Sequence, residues 1–204
     1  MTTDHTHTAE HRPARRRADA ERSIARILAA AVDALAGDPD ASMAEIARRA
    51  GVVRATIYVH FPTREALLEA VTHRAIAEVA QVIQAAEPDR GAPAEALARV
   101  VAASWQRLGR FHALVAINTR QHGHDELRQR HSTVLATLEP LIERGQADGS
   151  FGADIPAAWH LSMLLALMHA ASGEVGARRV SDQDAAAALV ATILGAVSAG
   201  PGGR

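Results

Sequence analysis

A short stretch near the N-terminus, residues 42–68, constrains the fold more than any other part of the chain. It predicts two short helices joined by a tight turn at Gly51, which can take the left-handed backbone conformation that ends a helix. Ser42 and Glu45 have the spacing of a capping box, in which each side chain satisfies the other residue's backbone N–H. The second helix is predicted over Arg54–His60. Together these elements indicate a helix-turn-helix, whose second helix can enter the major groove of DNA.

The order of residues in this stretch is more specific than the helix pattern alone. It contains Glu45-Ile46-Ala47, Ala50-Gly51-Val52, Thr56-Ile57-Tyr58, His60-Phe61, Arg64-Glu65 and Leu67-Leu68. This order resembles the DNA-binding signature of the TetR family of one-component transcriptional regulators, over the N-terminal quarter of the chain. Two residues depart from the signature. Val53 stands where Ser or Thr usually caps the second helix, which typically costs ~1 kcal/mol, and Ala55 stands where Gly is common.

The resemblance and the pattern together give a set of candidate DNA-binding residues. The resemblance implies that Thr56, Tyr58 and His60 contact the phosphate backbone, and that Arg64 does so from the start of the next helix. Arg54 is the best candidate for reading a base, most plausibly guanine through O6 and N7. The rest of the set is Arg48, a candidate phosphate contact, and Ala55 on the outer face. Taken alone, each arginine is equally explained as a solvated surface charge, and Tyr58 could instead brace the small core.

Composition sets the broad class of the protein. The 204 residues are 48% hydrophobic but only 3% aromatic, and alanine is abundant, which favours helix over sheet. The net charge is −1, yet six arginines fall within residues 12–26, and this local distribution matters more for nucleic-acid binding than the sum. The absence of cysteine excludes disulfides and thiolate chemistry, so a reducing cytoplasm is the expected location.

Several other classes find no support in the sequence. The N-terminal residues do not form a signal peptide, and the longest apolar stretch, residues 155–171, is interrupted and shorter than the ~20 residues of a membrane helix. There is no glycine-rich phosphate loop, nucleophile elbow or His-Glu-x-x-His helix, so we expect neither an enzyme nor a cofactor. His122, His124 and His131 form the one histidine cluster of note, and we interpret it as an exposed loop rather than a metal site.

Apolar periodicity predicts an all-α protein of about nine helices and no strand. The predicted helices are residues 18–36, the two short helices above, 63–86, 94–109, 111–121, 125–147, 157–173 and 182–199. We expect a disordered arm over residues 1–14, a DNA-binding domain over 15–75 and a helical effector-binding and dimerisation domain over 76–200. The basic end of the arm could lie along DNA or serve only as a solubilising tail.

The second domain contains candidates for a small-molecule pocket, because pockets in helical bundles are mostly apolar with a few placed polar groups. Any helical core would fit the same description, and His169 is also explained as a satisfied core histidine. The candidate ligand-binding residues are Trp105, Phe111, Asn118, Gln121, Trp159, Met163, Leu167 and His169.

These observations lead to one functional hypothesis and two alternatives. We expect a homodimer that binds palindromic operator DNA, pairs through its last two helices, and acts as a repressor released by an unknown small molecule. The first alternative is a helical small-molecule-binding protein or enzyme that has lost DNA binding. The second is a module whose apolar helices bind another protein.

Overall fold

The computed structural model describes the backbone of residues 11–199 and the side chains of residues 17–199. Most of the predicted arm, residues 1–10, lies outside this range. The described chain is all-α, as predicted, and its only strand-like pairing is an isolated bridge between Phe151 and Ser198. The helices are α1 (His11–Gly37), α2 (Met43–Arg49), α3 (Arg54–His60), α4 (Arg64–Ala85), α5 (Pro93–Leu108), α6 (His112–Gln121), α7 (His124–Arg130), α8 (Ser132–Ala147), α9 (Ala157–Gly176) and α10 (Asp182–Val197), with a 3-10 turn at Gly109–Phe111.

The chain divides into two compact units, and the boundary falls inside α4, between Val71 and Thr72. The sequence prediction had placed this boundary after residue 75. Within the N-terminal unit, α1 packs on α2 and α2 packs on α3. The apolar stripe of α1 is buried as its helical spacing predicts. It forms one core with side chains of the shorter helices, and the fully buried members include Ile27, Ala31, Leu35, Ile46, Ile57, Leu67 and Val71.

The C-terminal unit has its own larger core. Residues from α5, α8, α9 and α10 converge there with the C-terminal part of α4. Helix α9 packs against α6, α8 and α10, so it is covered by neighbours on several sides. This position explains why α9 is apolar around most of its circumference. None of the described helices is both long and apolar enough to cross a membrane.

The structure corrects the prediction of a single helix over residues 125–147. The chain breaks at His131, whose backbone (φ −94°, ψ 7°) is not helical, and α7 and α8 lie on either side of it. The His131 ring lies within hydrogen-bond distance of the Leu127 carbonyl (Nδ1 to O 2.7 Å), which also accepts the His131 backbone N–H at 3.2 Å. The same ring makes an edge contact with His169, with 5.1 Å between centroids. Apolar periodicity in the sequence does not predict such a tertiary contact.

The end of α8 depends on a glycine. Gly145 lies directly against the ring of Phe151, which is fully buried, and the Phe151 N–H donates to the Gly145 carbonyl at 2.8 Å. A Cβ atom added at Gly145 would sit 2.1 Å from Cδ2 of Phe151, well inside van der Waals contact. The turn that follows α8 then places Gly152 where its N–H donates to the Val197 carbonyl at the end of α10.

We therefore expect Gly145→Ala to destabilise the C-terminal unit, because the buried Phe151 ring would have to move. Overpacking of this kind costs about 1–3 kcal/mol in the free energy of unfolding, which urea denaturation measures. Gly109→Ala is the matched control. Gly109 has right-handed helical angles (φ −46°, ψ −43°), and a Cβ there would meet no atom within 4 Å. Equal stability of the two variants would contradict this account of the Phe151 contact.

Candidate nucleic-acid interface and ligand cavity

The first helix of the helix-turn-helix is fixed by its cap and by one acidic side chain. The Ser42 hydroxyl accepts the Glu45 N–H at 3.2 Å, which is one half of the predicted capping box. The Glu45 carboxylate instead accepts hydrogen bonds from Arg48 (2.7 and 2.9 Å) and Arg49 (2.7 Å). These bonds, that with Arg48 first, lower the pKa of Glu45 to about 2. Arg48, a predicted phosphate contact, is exposed on α2. The ion pair with the Glu45 carboxylate partly neutralises its positive charge.

The turn between the two helices has the predicted geometry. Gly51 has a φ of +65°, a conformation that strains any residue with a side chain. Its N–H donates to the Arg48 carbonyl, and the Val52 N–H donates to the Ala47 carbonyl at 3.0 Å, so the end of α2 is hydrogen-bonded into the turn. Val53 is the N-cap residue of α3, and its backbone is extended. As its apolar side chain predicts, it provides no capping hydrogen bond.

Helix α3 exposes the face that the sequence predicts. Ile57 is completely buried, and it anchors the helix to the core of the N-terminal unit. The remaining residues point outward to different extents. Arg54, Ala55, Tyr58 and Val59 are exposed, whereas Thr56 and His60 are half-buried. Val53 and Val59 are exposed to 70% and 77%, so apolar side chains lie among the exposed residues of this segment.

Three of the predicted DNA contacts on α3 and α4 also interact within the protein. The Arg54 guanidinium lies 5.7 Å from the centroid of the Tyr58 ring, a cation–π distance that holds both side chains on the outer face of α3. Arg64, at the start of α4, is half-buried and donates to the Pro39 carbonyl at 2.6 Å. That bond ties the loop after α1 to α4. A phosphate contact would use the other donors of the Arg64 guanidinium, which carries five N–H groups.

The C-terminal unit contains a largely apolar cavity. Its walls come from α4 to α9, and part of it is open to solvent. Most of the lining is aliphatic, which is typical of small-molecule sites in helical proteins. The polar lining residues are Thr72, Ser104, Asn118, Arg130, His131 and His169.

The polar side chains that line the cavity differ in whether they have hydrogen-bond partners. The Asn118 amide donates to the Thr72 hydroxyl at 2.9 Å. Arg130 pairs with Glu126 at 3.0 Å. Ser104 is buried, and its hydroxyl has no hydrogen-bond partner. Burial lowers the pKa of His131, and burial together with the neighbouring His131 and His124 lowers the pKa of His169 to about 4. Both rings are therefore uncharged at neutral pH.

Two of the eight predicted ligand residues, Asn118 and His169, line this cavity, and the other six lie elsewhere. Trp105 and Phe111 are buried in the packing around it, and the Trp105 indole N–H donates to the Asp182 carbonyl at 3.2 Å. Gln121 is exposed, and Trp159 is 66% exposed on α9. Met163 and Leu167 are half-buried on α9 and pack against the outside of the core. A helix pattern cannot distinguish a wall residue from a core residue, since both are apolar and inward.

Sequence reasoning missed Ser104 as a cavity residue and considered His131 only for metal binding. Ser104 gave a usable signal, because a small polar residue interrupts the apolar face of α5 between Val101 and Trp105. Among the described residues, no group of three or more His, Asp or Glu side chains is arranged to hold a metal ion.

Comparison with known proteins agrees with this architecture. Residues 27–71 match the family described as bacterial regulatory proteins, tetR family. The chain is 30% identical over 159 residues to the HTH-type transcriptional regulator NfxB of Pseudomonas aeruginosa, an alignment that covers 76% of this chain and 81% of NfxB.

Solved structures resemble most of the chain. The TetR-like regulator LfrR from Mycobacterium smegmatis, solved in complex with proflavine, has a TM-score of 0.68 and 26% identity, covering 85% of this chain and 94% of LfrR. The fatty acid degradation regulator FadR from Bacillus halodurans has a TM-score of 0.69 and 21% identity, covering 89% and 97%. The second likeness shows the fold alone.

We expect the stability of the protein to fall between pH 6.5 and pH 4, partly through His169. The unfolded chain titrates this histidine near pH 6.5, whereas the folded state holds its pKa at about 4. The unfolded state therefore binds more protons in this window, so acid favours unfolding, by up to about 3 kcal/mol at pH 4. Urea unfolding of wild-type and His169→Asn chains at several pH values measures the difference. The variant should lose less stability on acidification, and parallel pH profiles would contradict the assignment.

Proposed function

This chain belongs to the TetR family of transcriptional regulators, and from that premise we propose that it is a repressor which binds palindromic operator DNA as a homodimer. We further propose that a small molecule in the cavity of the C-terminal unit releases it from DNA. The observation that carries the proposal is the outer face of α3. It presents an exposed arginine and two exposed valines beyond a fully buried Ile57, within the segment that matches the family.

The exposed chemistry of α3 suits both kinds of contact that DNA recognition requires. Arg54 lies in the first turn, and recognition helices contact base edges mainly with their N-terminal residues. An arginine can donate two hydrogen bonds to O6 and N7 of guanine. Val59 offers an apolar surface of the kind that contacts a thymine methyl group. Tyr58 and His60 flank it with polar groups for phosphates, and these contacts would orient the helix without specifying sequence.

We expect Arg54→Ala to weaken operator binding by ~1–3 kcal/mol and to relax sequence preference at one base pair, because the variant loses a bidentate base contact. The measurement is fluorescence anisotropy with duplex fragments from the upstream region of the protein's own gene, at two salt concentrations and against a scrambled duplex. Affinity for the specific fragment should fall steeply with salt, as phosphate contacts require.

Arg90→Ala is the matched control for that experiment. Arg90 is an exposed arginine in the C-terminal unit, where it pairs with Glu87 at 2.9 Å. Its removal changes the net charge equally and should leave operator affinity near that of the wild type. If both variants bind like the wild type, Arg54 does not read a base. Absence of any salt-dependent duplex binding, including to fragments selected from random sequence, would instead favour a small-molecule-binding protein that has lost DNA binding.

The homodimer is supported by a strip of small and apolar residues on α9. Trp159, Met163, Ala166, Ala170 and Gly173 recur at helical spacing on the face opposite the buried one, and the first of these is 66% exposed. Residues 157–173 contain no charged side chain. The outer face of α10 is similarly small, with exposed alanines and Gly195. Small residues allow helices to approach closely, and a two-fold axis would pair this surface with itself.

We expect Ala170→Arg to convert the protein from dimer to monomer, because two-fold symmetry would place two arginine charges in an apolar interface. Light scattering coupled to gel filtration measures the mass directly. Ala102→Arg is the control, since Ala102 is an exposed alanine on α5, away from the strip. A wild-type protein that elutes with the mass of one chain, or an Ala170→Arg variant that remains a dimer, would contradict the proposed interface.

The effector role is supported by the cavity and by the course of α4. The LfrR structure holds proflavine, and that relative shares 26% identity and the overall fold with this chain. Here α4 contributes Thr72, Ala75, Ile76, Val79 and Ile83 to the cavity wall, while its first residues, Arg64–Val71, belong to the N-terminal unit. A ligand that prefers one arrangement of α4 would shift the population of DNA-competent dimers, whose two reading helices must lie about 34–36 Å apart.

A further inference from the structure

The cavity contains one buried hydroxyl that the protein leaves without a hydrogen-bond partner. Ser104 is 6% exposed and lines the wall, and its Oγ makes no hydrogen bond. A buried polar group in this state costs about 1–3 kcal/mol. A ligand that supplies a hydrogen-bonding atom would recover that cost on binding. Ser172 has a buried and unpartnered hydroxyl too, but it does not line the cavity, so it provides an internal comparison.

The charges around the cavity restrict what can enter it. Among the described residues that line it, none is acidic and none is Phe, Tyr or Trp. An organic cation would therefore lose its water without gaining a carboxylate or an aromatic face, which are the two usual protein partners of such ions. The buried histidines do not replace these partners, because both rings are uncharged at neutral pH and neither carries the negative charge that a cation needs.

The cavity also offers little charge compensation to a bound anion. The one lining side chain with a formal charge, among those described, is Arg130. It already pairs with Glu126, with 3.0 Å between Nη2 and Oε1. A carboxylate ligand would have to share Arg130 with Glu126, and the two negative charges would repel each other. A neutral molecule avoids both costs, and the aliphatic walls contributed by α4, α5, α8 and α9 favour its apolar body.

We propose that the cavity binds an uncharged, mainly apolar molecule with a hydroxyl or carbonyl oxygen, and that Ser104 forms a hydrogen bond with that oxygen. This inference rests on the proposed function, because it names the class of effector that the regulator senses. Ser104 is the specificity-determining residue of the site. Asn118, whose amide already donates to Thr72, also lines the cavity.

Three eight-carbon probes test the charge preference on the full-length protein. They are 1-octanol, octylammonium and octanoate, which have nearly equal apolar tails and differ mainly in the charge and hydrogen bonding of the head group. Each is titrated at pH 7.5 against the uncharged fluorophore N-phenyl-1-naphthylamine bound to the protein. We expect 1-octanol to displace the fluorophore at the lowest concentration. Octylammonium should bind at least about tenfold more weakly, because nothing in the cavity compensates its charge.

Two serine variants test the hydrogen bond. Ser104→Ala should weaken 1-octanol binding about three- to tenfold, the fold-change that corresponds to one neutral hydrogen bond. It should leave the affinity for the fluorophore unchanged, which verifies that the cavity remains folded. Ser172→Ala removes an equally buried hydroxyl outside the cavity and should leave 1-octanol binding unchanged. Removal of either unpartnered hydroxyl should not lower the unfolding temperature, so loss of folding does not confuse the comparison.

Several results would overturn the inference. These are octylammonium or octanoate binding as tightly as 1-octanol, equal effects of the two serine variants on 1-octanol, or no binding of 1-octanol and the fluorophore up to their solubility limits. None of these results depends on DNA. A chain that binds operator but prefers octylammonium would overturn the ligand class alone. A chain that prefers 1-octanol but binds no operator would overturn the regulator proposal and leave the chemistry of the cavity intact.

Discussion

Burial of Ile57 against the core of the N-terminal unit is the interaction on which the exposed face of α3 depends. Helix α3 spans only Arg54–His60, and isolated helices shorter than about 12–15 residues are marginal in water. Val53 gives the helix no side-chain cap, so its start contributes less than usual. Full burial of a side chain such as Ile57 contributes roughly 1.5–3 kcal/mol. Packing rather than local propensity therefore keeps the outer face of α3 in place.

The core of the C-terminal unit contains several features that lower its stability. A core that simply maximised stability would fill its interior and satisfy every polar group. This core instead leaves a cavity, keeps the Ser104 hydroxyl unpartnered, and holds His131 and His169 uncharged in contact with each other. Each of these features lowers the stability of the ligand-free protein. A ligand that fills the cavity and bonds to its polar groups would recover part of this lost free energy. Such a ligand would stabilise the conformation that binds it best.

Some of the structure could be predicted from residues alone, and the reason is local. Helix α3 begins and ends where its sequence indicates, and α2 begins behind its Ser42 cap, because caps, turn glycines and apolar periodicity act over only a few residues. The break at His131 could not be predicted, since no turn glycine or proline marks it and the contact of its ring with His169 exists only in the folded structure. The residues that line the cavity could not be predicted from the sequence either. Trp105 and Asn118 have similar inward positions in a helix pattern, yet one fills the core and the other faces empty space.

The sequence by itself determined the all-α class, the helix-turn-helix with its turn at Gly51, and the family, because each follows from short-range patterns of residue type and spacing. Only the tertiary structure decided which polar groups became buried together. It left Ser104 without a partner and placed uncharged histidines rather than carboxylates in the cavity wall. The physical reason is that desolvation and charge compensation depend on neighbours from distant parts of the chain, and those neighbours are assigned only when the helices pack.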